Sequence, residues 1–102
     1  MIISVTNLKG GVGKSTITQN LAVCFANMDY KVCIVDTDTN QTCMKWVSFR
    51  DEELPNVSVF GITEVGALAK NISVLNNDYD IVVIDGTPSL SKITSKILLL
   101  SD

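Results

Sequence analysis

Histidine is absent from the 102-residue chain. Cysteine is scarce, with three residues at Cys24, Cys33 and Cys43, an odd number with no Cys-x-x-Cys spacing. With no histidine to complete a Cys/His set, neither a disulfide framework nor a zinc site is expected. Each cysteine falls in a segment that reads as helix or strand. A small buried hydrophobe in a reducing compartment is the ordinary reading there. Long apolar runs are also lacking. Ile97–Leu100 and Ile81–Ile84 are only a few residues long, against the roughly 20 that cross a bilayer. No basic stretch and no long apolar segment follows Met1, so the N-terminus does not read as a secretory signal, and a cytoplasmic protein is expected. A basic surplus is missing too: eight Lys and Arg face eleven Asp and Glu, for a net charge of −3. Compact nucleic-acid binders usually carry a basic excess, so this stretch is not expected to grip DNA by charge alone.

What remains is ordinary globular composition, 46% apolar and 19% charged, which excludes disorder as the default. The length fits one small domain, residues 1–102. Strand-like and helix-like segments alternate throughout. Ile2–Thr6 is a β-branched run followed by a Gly-rich stretch. Ser15–Asn27 reads as a helix, with Ile17, Leu21, Cys24/Phe25 and Met28 at helical spacing. Val32–Val35 is a second strand closed by Asp36, and Gln41–Phe49 a weaker helix. Arg50–Asn56 is a charged loop containing Pro55. Val57–Phe60 reads as a strand, and Glu64–Leu75 as a helix with Val65, Leu68, Ile72 and Leu75 on one face. Ile81–Ile84 is a fourth strand ending at Asp85, and Lys92–Leu100 a last helix. These make about four βα units. Strands that are continuous apolar runs belong to parallel sheets covered on both faces. The expected fold is therefore α/β, a mainly parallel sheet flanked by helices. In such sheets ligands sit beyond the carboxyl ends of the strands.

The first strand is followed by Asn7-Leu8-Lys9-Gly10-Gly11-Val12-Gly13-Lys14-Ser15-Thr16. Glycines let a backbone wrap with its N–H groups turned toward an anion, and the next helix presents its positive end to the same place. In such a loop Lys14 reaches the β- and γ-phosphates and the Ser15 hydroxyl holds Mg²⁺. The usual pattern G-x-x-x-x-G-K-[ST] would put glycine where Leu8 stands. A second lysine, Lys9, stands instead at the loop's mouth. The second strand is followed by Asp36-Thr37-Asp38. Taken alone, an Asx-rich turn capping a helix reads equally well. Beside a phosphate loop, carboxylates that orient Mg²⁺ and an attacking water are favoured. The fourth strand closes on Asp85-Gly86-Thr87-Pro88-Ser89, an apolar strand ending in a carboxylate that can support Mg²⁺. Ser89 or Ser91 reads as a helix cap. Trp46, Tyr30 and Tyr79 show no stacking pattern and read as packing residues.

Together, Lys9–Ser15, Val35-Asp36-Thr37-Asp38 and Ile81–Asp85 through Pro88-Ser89 resemble the ParA/MinD family of P-loop ATPases with a deviant Walker A motif. The short plasmid-partition type is the most similar. The resemblance runs along essentially the whole chain, with Thr39-Asn40 where the family has Pro-Gln. It implies a Rossmann-like three-layer fold, ATP and Mg²⁺ as cofactors, and an ATP hydrolase. It implies that Lys9, Gly10, Gly11, Val12, Gly13, Lys14, Ser15, Thr16 and Asp36 bind nucleotide, and that Ser15 and Asp85 hold the metal. Lys9, Lys14 and Asp38 would be catalytic, with Asp38 positioning the attacking water and Lys9 reaching the phosphates of a second subunit. It also implies a homodimer closed across ATP, a centromere-binding ParB-like partner, nonspecific DNA binding and a cytoplasmic, nucleoid-associated bacterial protein. No membrane attachment is implied. Plasmid or chromosome segregation is the expected task. MinD-like positioning of cell division and a nucleotide-binding remnant without turnover are the alternatives. Leucine in place of glycine at position 8 and lysine at position 9 argue against a small-molecule kinase. Members of the family are longer, so the domain is expected to be truncated. Its next strand, adenine-contacting residues and basic DNA-binding surface would lie beyond residue 102. Such a sheet leaves an edge open to pairing, so the chain is expected to be a fragment, a truncated gene product, or one that completes its sheet by self-association.

Overall fold

The computed structural model describes residues 1–5, 14–37, 42–48, 50, 56–62 and 65–86. Four strands and three helices alternate: β1 (Ile2–Val5), α1 (Lys14–Asn27), β2 (Val32–Asp36), α2 (Thr42–Ser48), β3 (Val57–Gly61), α3 (Val65–Asp78) and β4 (Ile81–Asp85). The strands form one sheet in the order β1-β4-β2-β3, and every pairing is parallel. The mainly parallel, helix-flanked α/β fold expected from the sequence is therefore present. The expected helix over Lys92–Leu100 lies outside the described residues.

β2 and β4 occupy the centre of the sheet, and all five residues of each are buried. Their side chains alternate between two apolar layers. Val32, Ile34, Ile81 and Val83 pack with Ala22 and Ala26 of α1, Cys43 of α2 and Val57 of β3. Cys33, Val35, Val82 and Ile84 pack with Ile2 and with Leu68 and Ile72 of α3. Burial on both faces is why these strands read as unbroken apolar runs. Leu68, Ile72 and Leu75 all join the layer beneath α3, as their spacing predicts. α3 runs three residues past its expected end. Its last turn, Asn76-Asn77-Asp78, is exposed and polar, with no periodic signal to extend the pattern.

α1 is present but rolled. The residues it buries are Thr18, Ala22 and Ala26, while Ile17 and Met28 are 54% and 58% exposed. Cys24 is exposed as well, which corrects its reading as a buried hydrophobe. The small Thr18-Ala22-Ala26 face lets the helix lie close to β2 and β4. The helix ends in a Schellman turn. Asp29 has a φ of 68°, its N–H donates to the Ala26 carbonyl at 3.1 Å, and the Tyr30 N–H donates to Phe25 at 3.2 Å. The Phe25 and Tyr30 rings meet edge-on at 6.0 Å, the apolar contact that accompanies this turn. Trp46 is half-buried against the α1-side layer, as a packing residue should be.

Candidate functional site

The parallel register places Val5, Asp85, Asp36 and Gly61 side by side across the sheet. All four close their strands, so this row is the carboxyl edge where a ligand is expected. Residues 6–13 connect Val5 in this row to Lys14, the first residue of α1. The chain immediately beyond the strands is tied down. The Gly86 N–H donates to Val5 O at 3.0 Å, and the Ile62 N–H to Asp36 O at 3.0 Å. Thr37 donates twice to Asp85 O, from N–H at 3.1 Å and from Oγ1 at 2.7 Å.

Asp36 and Asp85 have no solvent exposure. They are register partners on adjacent strands, and side chains at such positions emerge on the same face. That is the face carrying α1 and α2. Cys43, the second residue of α2, meets both carboxylates. Its backbone N–H donates to Asp36 Oδ2 at 2.9 Å, and its Sγ–H donates to Asp85 Oδ2 at 3.2 Å. The Gln19 amide of α1 approaches the same sulfur at 3.8 Å. Burial first, then the charge and hydrogen bond of Asp85, push the Cys43 thiol up from 9.0 to about 12. At neutral pH it is therefore an S–H donor and not a thiolate.

Ligand atoms of Asp36, Cys43 and Asp85 lie within 4.8 Å of one another. A hard divalent cation suits such a carboxylate pair, since Mg²⁺ is commonly held by one or two carboxylates together with phosphates and water. The residues present therefore fit Mg²⁺.

Of the residues expected to form the site, Asp36 and Asp85 are brought together. Lys14, Ser15 and Thr16 are the first three residues of α1, where the positive end of a 14-residue helix lies. Lys9, Gly10, Gly11, Val12, Gly13 and Asp38 lie outside the described residues. The sequence reading missed Cys43 and Thr37. Cys43 is buried as expected, but its polar role depends on where the start of α2 meets the ends of β2 and β4, which no local pattern encodes.

A family model, the CobQ/CobB/MinD/ParA nucleotide binding domain, matches residues 3–98. The chain belongs to this family. The maintenance of carboxysome distribution protein A of Halothiobacillus neapolitanus is 29% identical over 98% of this chain and 46% of its own length. The sporulation initiation inhibitor protein Soj of Bacillus subtilis is 27% identical over 99% of this chain and 55% of its own. The chain thus spans about half the length of these relatives. A septum site-determining protein MinD from Thermotoga maritima is 54% identical, but over 37 residues, 36% of this chain and 14% of that protein. A plasmid partition protein from Borrelia burgdorferi superposes over 99% of this chain and 62% of its own, with a TM-score of 0.78 and 25% identity. The cobyrinic acid a,c-diamide synthase of Mycobacterium smegmatis, solved with ADP and magnesium, shares the fold at 20% identity and a TM-score of 0.77. This CobQ/CobB/MinD/ParA membership makes the chain part of a nucleotide-binding domain. Among the described residues, no helix is long and apolar enough to cross a membrane.

Proposed function

We propose that the chain binds ATP with Mg²⁺ through Lys9–Thr16 and the Asp36–Asp85 pair, and hydrolyses it as a ParA-type partition ATPase. The observation that carries this reading is the row at the carboxyl edge. Two buried carboxylates stand in register beside the strand that feeds the glycine loop. Bound Mg²⁺ supplies charge neutralisation at the phosphates. Ser15 and Asp85 hold it, with Asp36 beside them. Loop amides from Gly10 to Gly13 and the Lys14 ammonium cradle the phosphates. Thr16 binds at the α-phosphate, and Asp38 orients the attacking water. Lys9 reaches the phosphates held by a second subunit. That role matches an arginine finger, worth about 10³–10⁵-fold in rate. A homodimer closed over ATP, a ParB-like partner and nonspecific DNA complete the cycle that segregates plasmid or chromosome. A cytoplasmic, nucleoid-associated location goes with it.

MinD-like positioning of cell division is the second reading. The partition-type likeness is favoured because a plasmid partition protein superposes along nearly the whole chain, whereas the MinD identity is confined to 37 residues. The first test is titration of the chain with ATP and Mg²⁺, followed by phosphate release. Lys14→Ala removes a charge-assisted contact and is expected to weaken binding by about 10- to 100-fold. A chain that takes up no nucleotide, or a variant that binds as well as the parent, sinks this reading.

A further inference from the structure

Cys43 is the one member of the buried cluster that the reading above leaves unused. It offers two donors from one position, and they go to different carboxylates. The N–H takes Asp36 Oδ2 at 2.9 Å, and the S–H takes Asp85 Oδ2 at 3.2 Å. These acceptors sit on adjacent strands as register partners. We propose that Cys43 is the positioning residue of the acidic pair, bridging Asp36 and Asp85 so that they present one fixed face to a divalent cation. What that face receives rests on the Mg²⁺–nucleotide reading. The bridge itself rests on the contacts.

The residue type suits the task. The amide is fixed by the first turn of α2, where an N–H has no partner within the helix. A thiol is a weak donor. It orients Asp85 without cancelling its charge, whereas an ammonium or guanidinium in its place would form a strong charge-assisted pair. The Asp36, Cys43 and Asp85 side chains are all buried. Alanine at this position removes the S–H and keeps the N–H, which isolates the Asp85 half of the bridge. Serine restores a donor.

Groups that hydrogen-bond a metal's ligands typically govern about 10–100-fold in metal affinity. Cys43→Ala is therefore expected to raise the Mg²⁺ concentration needed for half-maximal ATP binding by about 10-fold. Affinity for metal-free ATP should stay within about twofold, because that change falls on the metal and not on the phosphate loop. Cys43→Ser should recover most of the loss. An unchanged Mg²⁺ requirement in Cys43→Ala, or a serine variant as impaired as alanine, overturns the proposal. A second arm needs no nucleotide. The S–H stretch of Cys43 in the Raman spectrum, identified by its loss in Cys43→Ala, should lie below that of Cys33. It should rise in Asp85→Asn, with a thermal melt confirming that the variant is folded. A band that stays in place when Asp85 is changed overturns the bridge. If the parent chain takes up no Mg²⁺ and ATP, the nucleotide reading fails, and the S–H band alone decides whether Cys43 holds the pair.

Discussion

The Cys33 side chain leaves the middle of β2 into the layer formed with Val82, Leu68 and Ile72, and burial alone pushes its thiol up from 9.0 to about 12. The folded state therefore binds this proton more tightly than the unfolded chain does. Its contribution to stability is complete below about pH 9 and is lost as pH rises toward 12. Cys33→Val removes the ionisable group and adds about a methyl group of volume, at a cost of about 1–3 kcal/mol near neutral pH. Above pH 9 the urea midpoint of the parent chain is expected to fall more steeply than that of Cys33→Val. Parallel slopes would show that the thiol carries none of the alkaline loss. At this scale the sequence reveals chemistry unevenly. Asp36 and Asp85 could be picked out because each closes an apolar run, and their meeting follows from strand order. Cys43 could not, because its partners lie seven and 42 positions away. They meet because the first turn of α2 is set against the ends of β2 and β4.

Helix α1 shows how a correct element can hide an incorrect face. The chain places bulky apolar residues at Ile17, Leu21, Phe25 and Met28, and that spacing predicts a helix. Packing chose the small side instead, Thr18, Ala22 and Ala26, because a helix set close over two central strands has room for methyl groups and little more. Periodicity measures where apolar volume lies, not how near the backbone must come, so the roll of α1 was not legible while its existence was. α3 had no such conflict, and Leu68, Ile72 and Leu75 fell where their spacing put them. The roll is testable through a pair of substitutions. Ala22→Leu adds volume at a fully buried position and is expected to cost about 1–3 kcal/mol. Ile17→Gln alters an exposed one and should stay within about 0.5 kcal/mol. Denaturant midpoints of the two variants give the answer directly. The reverse order would mean that the bulky stripe faces the sheet.

Across the whole molecule, the described sheet has two outer strands. β1 pairs with β4 and β3 pairs with β2, and each strand has its other side unpaired among the described residues. The carboxyl-edge row runs from one outer strand to the other, Val5 to Gly61. Its two carboxylates, Asp85 and Asp36, close the central pair of strands, and Val5 on β1 lies beside Asp85. Unpaired strand edges are prone to pair with another chain. Two routes to a dimer must therefore be separated, one through nucleotide and one through the sheet. The proposed switch predicts that mass in solution doubles with Mg²⁺ and a non-hydrolysable ATP analogue and returns to that of a monomer when nucleotide is removed. Lys9→Ala is expected to keep nucleotide bound through Gly10–Thr16 but to lose the nucleotide-dependent dimer and turnover, since the proposed role of Lys9 is exercised on the other subunit's phosphates. Edge pairing predicts a mass independent of nucleotide and indifferent to Lys9. Sedimentation velocity of the parent chain and Lys9→Ala, each with and without the analogue, distinguishes the two. A parent chain that stays monomeric with nucleotide bound would remove Lys9 from the mechanism, because it would then have no second subunit's phosphates to reach.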